Sequence, residues 1–420
     1  MHILLIHQAF ATLDEPGGTR HHELVRYLAY RGHRVTVIAS PVSYLTGKQT
    51  AAAKPSDERE AELVTILRPY TYPAWHRSFL HRVFSFLSFM VSSFICGLDV
   101  RGVDLVWGTS PPIFQGGTAW LLARLKGARF LFEVRDLWPA FAVAIGVLRS
   151  PLLIRPAEWF ERFLYRHADQ VVVNSPGFIE YVKYRGARRV ALVPNGADPD
   201  MFDPTACGLE FRRKYGLESR YVVLYAGAHG LSNDLGIVLQ AAEKLREQTD
   251  IAIVLLGDGK EKPHLVAQAA KMGLSNVHFM APVPKNQIPQ ALAAANACLA
   301  ILKPIPLYKT VYPNKVFDYM AAGRPVILAI DGVIREVVEI ARAGVFVSPG
   351  NPVDLAETIL LLASDRPKGQ SLGLNGRHYM EKYFNRTNLA ADMERVLIGA
   401  MEPPVPSTPD IPRTPSSNDK

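Results

Sequence analysis

Residues 313–352 read PNKVFDYMAAGRPVILAIDGVIREVVEIARAGVFVSPGNP and combine charged side chains with a predicted helix start. A Pro-Asn-Lys loop precedes a helix predicted over 316–322, so Asn314, Lys315 and Asp318 lie near its first turn. A helix N-terminus offers unpaired backbone N–H groups and a positive dipole end, which suit an anion. A lysine there is unfavourable without an anion beside it. The pattern therefore predicts phosphate binding, with Asp318 free to accept hydrogen bonds from ligand hydroxyls.

Two glycine turns follow successive apolar runs in the same half of the chain. The first is Tyr-Ala-Gly-Ala-His-Gly, with Gly227 and His229, and the second is Leu-Gly-Asp-Gly, with Gly257 and Gly259. Glycine allows a backbone to come close to a ligand and to adopt positive φ. A single turn of this kind is explained equally well as a tight connection between a strand and a helix. Two turns, followed by Val283 and the 313–352 pattern, favour a binding pocket.

The first half also places polar residues after predicted strands. A Gly-Gly-Thr-Arg loop separates the first strand from the first helix, and a Glu-Val-Arg-Asp-Leu-Trp-Pro stretch ends a buried strand with three charges. A structural ion pair would also explain those charges. A helix start at Arg20-His21-His22 is expected to lie at the surface. The candidate residues of this half are Gly17, Gly18, Arg20, Thr109, Ser110, Glu133, Arg135 and Asp136.

Composition limits the class of protein. The chain has 420 residues, 48% of them apolar and 20% charged, which suits two soluble domains. Its net charge is +8, and residues 1–200 carry 23 Lys and Arg against 17 Asp and Glu. No nucleic-acid-binding motif accompanies this charge. The three cysteines are far apart in sequence, so neither a disulfide framework nor a metal site is indicated, and we expect a cytoplasmic protein.

The order of elements predicts the architecture. Apolar strands alternate with helices through both halves, which is typical of parallel sheets covered on both faces. We expect an α/β chain of two doubly wound Rossmann-like domains, over 1–200 and 205–384, facing a central cleft. A helix at about 385–401 is expected to pack back onto the first domain. Residues 402–420 hold six prolines and are predicted to be a disordered tail.

One apolar segment could meet a membrane. Residues 83–98, VFSFLSFMVSSFICGL, are uncharged but shorter than the roughly 20 residues of a spanning helix. A buried core helix and an interfacial helix, with Phe86 and Phe89 towards the lipid, both fit this pattern.

Together these motifs resemble the family 4 glycosyltransferases of the GT-B fold. Asp318 matches the second acid of the family's paired acidic motif, whereas Thr310 stands where the first acid is usual. Residues 228–236 also lack the usual Arg and Lys, which leaves Lys315 as the candidate cation for the diphosphate. The 133–139 stretch resembles the WbuB-like branch of lipopolysaccharide, capsule and exopolysaccharide transferases.

The resemblance implies a function and a set of roles. It implies a retaining, metal-independent enzyme without a cofactor that moves a hexose, or an N-acetylated amino sugar, from a nucleoside-diphosphate sugar to a lipid-linked or glycan acceptor. Peripheral association with the inner face of the cytoplasmic membrane is expected, and no nucleic-acid partner. Asp136, Arg135 and Lys315 are the catalytic candidates. A GT-B epimerase of UDP-sugars and a non-catalytic sugar-binding relative remain open at this point. The implied donor-binding residues are Gly17, Gly18, Gly227, His229, Gly257, Gly259, Val283, Thr310, Asn314, Lys315 and Asp318, and the implied acceptor-binding residues are Arg20, Thr109, Ser110 and Glu133.

Overall fold

The computed structural model describes residues 1–43, 47, 49, 50, 58–73 and 79–402. The predicted disordered tail, apart from its first residue, lies outside the described residues.

Two parallel sheets organise the described chain. The first has seven strands in the order β3-β2-β1-β4-β5-β6-β7, and the second has six in the order β10-β9-β8-β11-β12-β13. Their bounds are β1 His2–Ile6, β2 Arg34–Ile38, β3 Val64–Leu67, β4 Leu105–Ser110, β5 Arg129–Val134, β6 Gln170–Val173, β7 Val190–Leu192, β8 Tyr221–Ala226, β9 Ile251–Leu256, β10 Val277–Met280, β11 Ala297–Ile301, β12 Val326–Ala329 and β13 Gly344–Phe346.

Helices cover both faces of each sheet. Their bounds are α1 Arg20–Tyr30, α2 Glu58–Leu63, α3 Phe79–Leu98, α4 Phe114–Lys126, α5 Ala140–Ala144, α6 Pro151–His167, α7 Ile179–Tyr184, α8 Leu209–Lys214, α9 Leu235–Lys244, α10 Lys262–Lys271, α11 Ile288–Ala294, α12 Asn314–Ala321, α13 Val333–Ile340, α14 Pro352–Ser364, α15 Arg366–Tyr383 and α16 Arg386–Met401. The predicted two-sheet, doubly wound α/β architecture is confirmed.

The strand order reverses at one point in each sheet. In the first sheet β1 pairs with β2 on one side and β4 on the other. In the second sheet β8 lies between β9 and β11. Connections leave such a point in opposite directions, which opens a crevice at the carboxyl ends of the strands. The loops after β1, β4, β5, β8 and β9 therefore border the cleft.

The last helix returns to the first sheet. Leu389, Met393 and Leu397 of α16 belong to the same buried core as Leu24 and Leu28 of α1. Because this core also holds strands β1 and β2, the end of the chain is built into the first half. The division at 1–200 and 205–384 stays a prediction.

Helix α3 contains the predicted apolar segment and has two different faces. Phe89 is fully buried in the core beneath α3. Phe84, Leu87, Val91, Ile95 and Leu98 form a stripe on the opposite side, with 61, 37, 54, 60 and 45% of their surface exposed. The expectation that Phe89 faces lipid is therefore wrong. None of the described helices has both the length and the apolar character that crossing a bilayer requires.

Candidate active site

A cavity of about 220 Å³, the smaller cavity, lies where the loop after β1 meets the second sheet. It is bordered by the glycine turns after β8 and β9, the loop after β10 and the start of α12. Eight of the predicted donor-binding residues therefore come together in one place. They are Gly17, Gly18, Gly227, Gly257, Val283, Asn314, Lys315 and Asp318.

Lys315 lines this cavity at the start of α12. Its Nζ lies 3.8 Å from the centre of the Tyr225 ring. It is shielded from solvent and has no hydrogen-bond partner among the described residues. Burial lowers the pKa of Lys315 from 10.5 to about 7. A buried ammonium without an anionic partner is costly, so this position is suited to an incoming anion.

The turn after β8 leaves room for that lysine. Gly227 has φ 149°, and a Cβ atom built there would lie 2.9 Å from the Lys315 Nζ. Gly257 has φ 150°, and a Cβ atom built there would overlap the Gly227 carbonyl oxygen. Side chains at these two positions would close the gap between the turns. The sequence interpretation of close backbone approach fits this geometry.

Asp318 is held by a residue that the sequence analysis missed. The Lys285 Nζ donates to Asp318 Oδ2 at 2.6 Å, and both side chains are buried. The other oxygen, Oδ1, is buried and has no partner among the described residues. Lys285 comes just after the Val283-Pro284 pair, but 33 residues before Asp318, and only the folded chain brings the two together. The free oxygen is available to a ligand hydroxyl.

Three predicted donor residues lie outside the lining of this cavity. Gly259 comes close to the backbone of His229 and braces the two turns. The His229 ring is fully buried, and burial together with Lys262 and Lys315 lowers its pKa to about 4, so it is neutral. The Thr310 hydroxyl donates to the Leu307 carbonyl oxygen at 2.7 Å. Both ring nitrogens of His229 are buried without a partner among the described residues, and neither His229 nor Thr310 lines the cavity. Their donor-binding roles stay predictions.

A larger cavity of about 930 Å³ lies on the side of the first sheet. Gly18 and Asn314 line both cavities, so the two spaces meet at these residues. Arg135 and Asp136, which follow β5, face the larger cavity, as does Arg20. Asp136 faces this space, and desolvation of its carboxyl raises its pKa to about 6 against the opposing effect of Arg135.

Glu133 does not line the larger cavity but holds residues next to it in place. Its carboxylate accepts from Arg20 Nε at 3.0 Å, His21 Nε2 at 2.6 Å and Trp107 Nε1 at 3.1 Å. Burial alone would raise the pKa of Glu133, but His21 and Arg20 outweigh it and hold the pKa well below its usual range. Because Glu133 is fully buried and its oxygens are occupied, it positions other residues and does not contact an acceptor.

Arg135 contacts two neutral histidines, His7 and His21. Its Nη1 lies 3.2 Å from His7 Nε2 and 3.4 Å from His21 Nδ1. Burial lowers the pKa of His7 well below its ordinary value and that of His21 to about 4. Since His21 Nε2 donates to Glu133, its Nδ1 is left as an acceptor. His21 is 1% exposed, so the expectation of a surface position is wrong.

Thr109 and Ser110 are also buried next to His7 and Arg135. The Thr109 hydroxyl lies 2.9 Å from His7 Nδ1, and the Ser110 carbonyl oxygen accepts from Arg135 Nε at 3.3 Å. Both residues are buried and line neither cavity. Their contacts orient His7 and Arg135. The Thr109 hydroxyl is occupied by His7 and Gln115, whereas acceptor binding by Ser110 stays a prediction. The histidines gave no signal in sequence because they share no recognisable spacing.

Family models match both halves of the chain. Residues 17–196 match the model described as glycosyl transferase 4-like domain, and residues 220–365 match glycosyl transferases group 1. The two matches together cover more than three quarters of the chain. The chain belongs to the family 4 glycosyltransferases. This glycosyltransferase is therefore an enzyme, as the resemblance implied, whereas membership of the WbuB-like branch stays a prediction.

Curated relatives are about a quarter identical to this glycosyltransferase over the aligned segments. WcaI of Escherichia coli K12, named as a glycosyl transferase of colanic acid biosynthesis, is 27% identical over 314 residues, covering 72% of this chain and 76% of WcaI. The D-rhamnosyltransferase WbpZ of Pseudomonas aeruginosa is 27% identical over 239 residues, covering 55% of this chain and 59% of WbpZ. The chain spans little more than half the length of several other relatives.

Solved structures share the fold of this glycosyltransferase. Sucrose-phosphate synthase from Thermosynechococcus elongatus superposes with a TM-score of 0.75 at 19% identity, over 95% of this chain and 98% of that one. Anabaena HepE in complex with UDP-glucose superposes with a TM-score of 0.70 at 18% identity, over 95% and 100%. These similarities confirm the predicted GT-B fold.

Proposed function

We propose that this glycosyltransferase moves a hexose or an N-acetylated amino hexose from a nucleoside-diphosphate sugar to a lipid-linked acceptor, with retention of configuration, in cell-surface polysaccharide synthesis. The observation that carries the proposal is the unpaired, buried Lys315 ammonium at the start of α12. The diphosphate would lie there, with the nucleoside hydroxyls near the free oxygen of Asp318.

The chemistry requires a stabilised leaving group. The acceptor oxygen forms a bond to the anomeric carbon, and the bond between that carbon and the diphosphate oxygen breaks. The departing diphosphate carries the electron pair and gains negative charge, which Lys315 and the N–H groups of the α12 N-terminus would offset. The hydroxyl proton would pass to Asp136, which faces the larger cavity beside Arg135.

Comparison with related proteins supports the donor class and the biological setting. HepE binds UDP-glucose, and WcaI is named for colanic acid biosynthesis. Retention, independence of a metal and the identity of the sugar follow from the family resemblance alone and are part of the proposal. The proposed step requires the nucleotide sugar, the acceptor and residues of this chain.

Peripheral membrane association is the second part of the proposal. The exposed α3 stripe, Phe84, Leu87, Val91, Ile95 and Leu98, presents an apolar edge at helical spacing. Such a helix can lie in the interface of a bilayer with its apolar face inserted. The excess of basic residues in the first half would favour an anionic leaflet.

A thermal-shift screen tests the donor assignment. The protein is heated with UDP-, GDP-, ADP- and dTDP-sugars, and with NAD as a negative control. A ligand at 100 times its Kd stabilises the folded state by about 2.7 kcal/mol, which a thermal scan resolves. We expect stabilisation by a UDP-N-acetyl sugar. No shift with any nucleotide sugar, or a shift with NAD alone, would overturn the proposal.

A further inference from the structure

We propose that the larger cavity binds the apolar chain of a phosphate-linked lipid acceptor, with the lipid phosphate on Arg135. This inference rests on the proposed function, because it names the part of the acceptor that this cavity recognises. It places the sugar of the acceptor between the lipid phosphate and the smaller cavity.

The walls of the larger cavity are largely apolar side chains. Phe86 of α3, Phe114 of α4, Phe141 of α5, and Leu153 and Phe160 of α6 all line it. A sugar or a nucleotide needs directional hydrogen bonds, which aromatic and aliphatic walls cannot supply. A hydrocarbon chain is stabilised by the burial of its surface against such walls. The cavity is also more than four times the volume of the smaller one.

The inner end of this cavity carries a cation. The contacts of Arg135 are to His7, His21 and the Ser110 carbonyl oxygen, and it has no ion pair among the described residues. Both imidazoles are neutral, so they orient the guanidinium without cancelling its charge. Asp136 lines the same space and is the nearest acid in sequence. A guanidinium at the end of an apolar cavity fits the phosphate of an amphiphile.

The cavity connects with the smaller one at Gly18 and Asn314. The Asn314 side chain is oriented by Arg386 of α16, whose Nη2 lies 3.4 Å from Asn314 Oδ1. A lipid phosphate at Arg135 would thus hold its attached sugar towards the nucleotide sugar. Asp136 lines the same cavity as Arg135.

The outer end of the cavity is open and amphipathic. Leu153 and Trp159 line the cavity and are 53 and 64% exposed, which places them at its mouth. The neighbouring Leu152 is 84% exposed, and Arg149 and Arg155 are exposed beside it. Apolar side chains among arginines are the composition of a surface that meets an anionic bilayer. A chain can therefore reach the cavity from the membrane.

Direct binding tests the cavity without any reaction. Trp138 and Trp159 line it, so a saturable change in tryptophan fluorescence on addition of farnesyl phosphate, below its micelle concentration, reports occupancy. Ala142→Phe and Ala157→Phe each fill part of the cavity, whereas Ala144→Phe changes an exposed position on the same helix α5 as Ala142. We expect the two filling variants to weaken binding about tenfold and the control to stay within about twofold. Equal binding by all four proteins, or no saturable binding by fluorescence and by titration calorimetry, would overturn the proposal.

A second experiment tests whether Arg135 binds the lipid phosphate. Farnesol has the same chain without the phosphate, so we expect it to bind the wild type about tenfold more weakly than farnesyl phosphate. In Arg135→Gln this preference should disappear, while farnesol binding is retained. A preference that survives in Arg135→Gln would contradict the role of Arg135.

A transfer assay separates this inference from the proposed function. With a prenyl-diphosphate-linked sugar as acceptor, Ala142→Phe should raise KM about tenfold and leave kcat nearly unchanged. If the wild type binds farnesyl phosphate but transfers sugar to no acceptor, the proposed function fails and the lipid cavity stands. If transfer proceeds and Ala142→Phe has no effect on KM, the proposed function stands and the lipid cavity fails.

Discussion

The Lys285 ammonium lies 2.6 Å from Asp318 Oδ2, so the loop after β10 fixes a carboxylate on α12. The pair is buried, and Asp318 keeps one oxygen without a partner among the described residues. This arrangement leaves one carboxylate oxygen of Asp318 free in a cavity that Lys315, Lys285 and Asp258 also line. The two lysines therefore have different roles. Lys285 orients the Asp318 carboxylate, and Lys315 is positioned to bind an anionic ligand.

The Lys285–Asp318 pair should control donor affinity. Asp318→Asn removes the charge of the acceptor, and Lys285→Met leaves the carboxylate without its support. Each change should weaken nucleotide-sugar binding by roughly 1.5–3 kcal/mol, the contribution of a charged hydrogen bond. The two effects should be less than additive, because both act on one contact. Titration calorimetry measures them.

The matched control for Lys285→Met is Lys309→Met. Lys309 pairs with Asp331 at 2.7 Å on the surface, where the ion pair contributes little. Lys309→Met should bind the donor as the wild type does. Wild-type affinity in Lys285→Met would contradict the orienting role of Lys285.

Replacing Lys315 by Met should stabilise the free protein. Since the folded pKa of Lys315 is about 7 and its ordinary value is 10.5, the unfolded chain binds more protons between these pH values. The free energy of unfolding of the wild type therefore rises with pH across this window, and is lowest where the buried lysine is charged. Lys315→Met should remove this part of the rise and add roughly 1–3 kcal/mol at pH 7. Thermal melts from pH 6 to 10 measure both effects, and a less stable variant would argue against a strained ammonium.

Removing the charge of Glu133 should destabilise the first half. Glu133→Gln removes the buried charge opposite Arg20 and replaces one acceptor oxygen by an NH2 group that faces other donors, at a cost of roughly 3 kcal/mol. Activity should fall as well, because His21 helps to position Arg135. Urea denaturation gives the free energy of unfolding. Glu339→Gln, which breaks an exposed pair with Arg335, should change it by less than about 0.5 kcal/mol.

Membrane binding should depend on the exposed stripe of α3. Phe84→Ser combined with Ile95→Ser should reduce co-sedimentation with anionic liposomes several-fold, because both side chains are exposed on one helix. Ile340→Ser changes a residue that is 70% exposed on α13 and should have no effect. Phe89→Ser is not a fair test, since Phe89 is buried. Unchanged sedimentation of the α3 variant would count against membrane association through this helix.

The sequence predicted the parts of the site that depend on local order. Apolar runs separated by helices indicated parallel sheets, and the 313–352 pattern placed Lys315 and Asp318 at a helix start, where α12 now begins. Glycine turns after strands were predicted for the same reason, since the carboxyl ends of parallel strands share one edge. Local patterns were thus sufficient to bring eight of the predicted donor residues to one cavity, and their donor-binding role stays a prediction.

The remaining features depend on contacts between distant segments. Lys285 meets Asp318 only when the loop after β10 folds against α12. Glu133 looked like a ligand-binding acid because charges usually lie at strand ends, but three donors from α1 and β4 enclose it. His7 and His21 have no shared spacing, and α3 does not reveal in sequence which of its phenylalanines face the core. Such pairings are set by the packing of the whole domain.

The central claim is that a donor diphosphate neutralises Lys315, and calorimetry at pH 8 tests it most directly. The nucleotide sugar that gives the largest thermal shift is titrated in two buffers of different ionisation enthalpy; its diphosphate has no titrating proton near this pH. Because the free lysine is mostly neutral above its pKa of about 7, wild-type binding should take up about one proton. The affinity should fall as the pH rises above 7, and Lys315→Met should bind weakly with no proton uptake. Tight binding by the wild type without proton uptake, or unchanged affinity in Lys315→Met, would contradict the account.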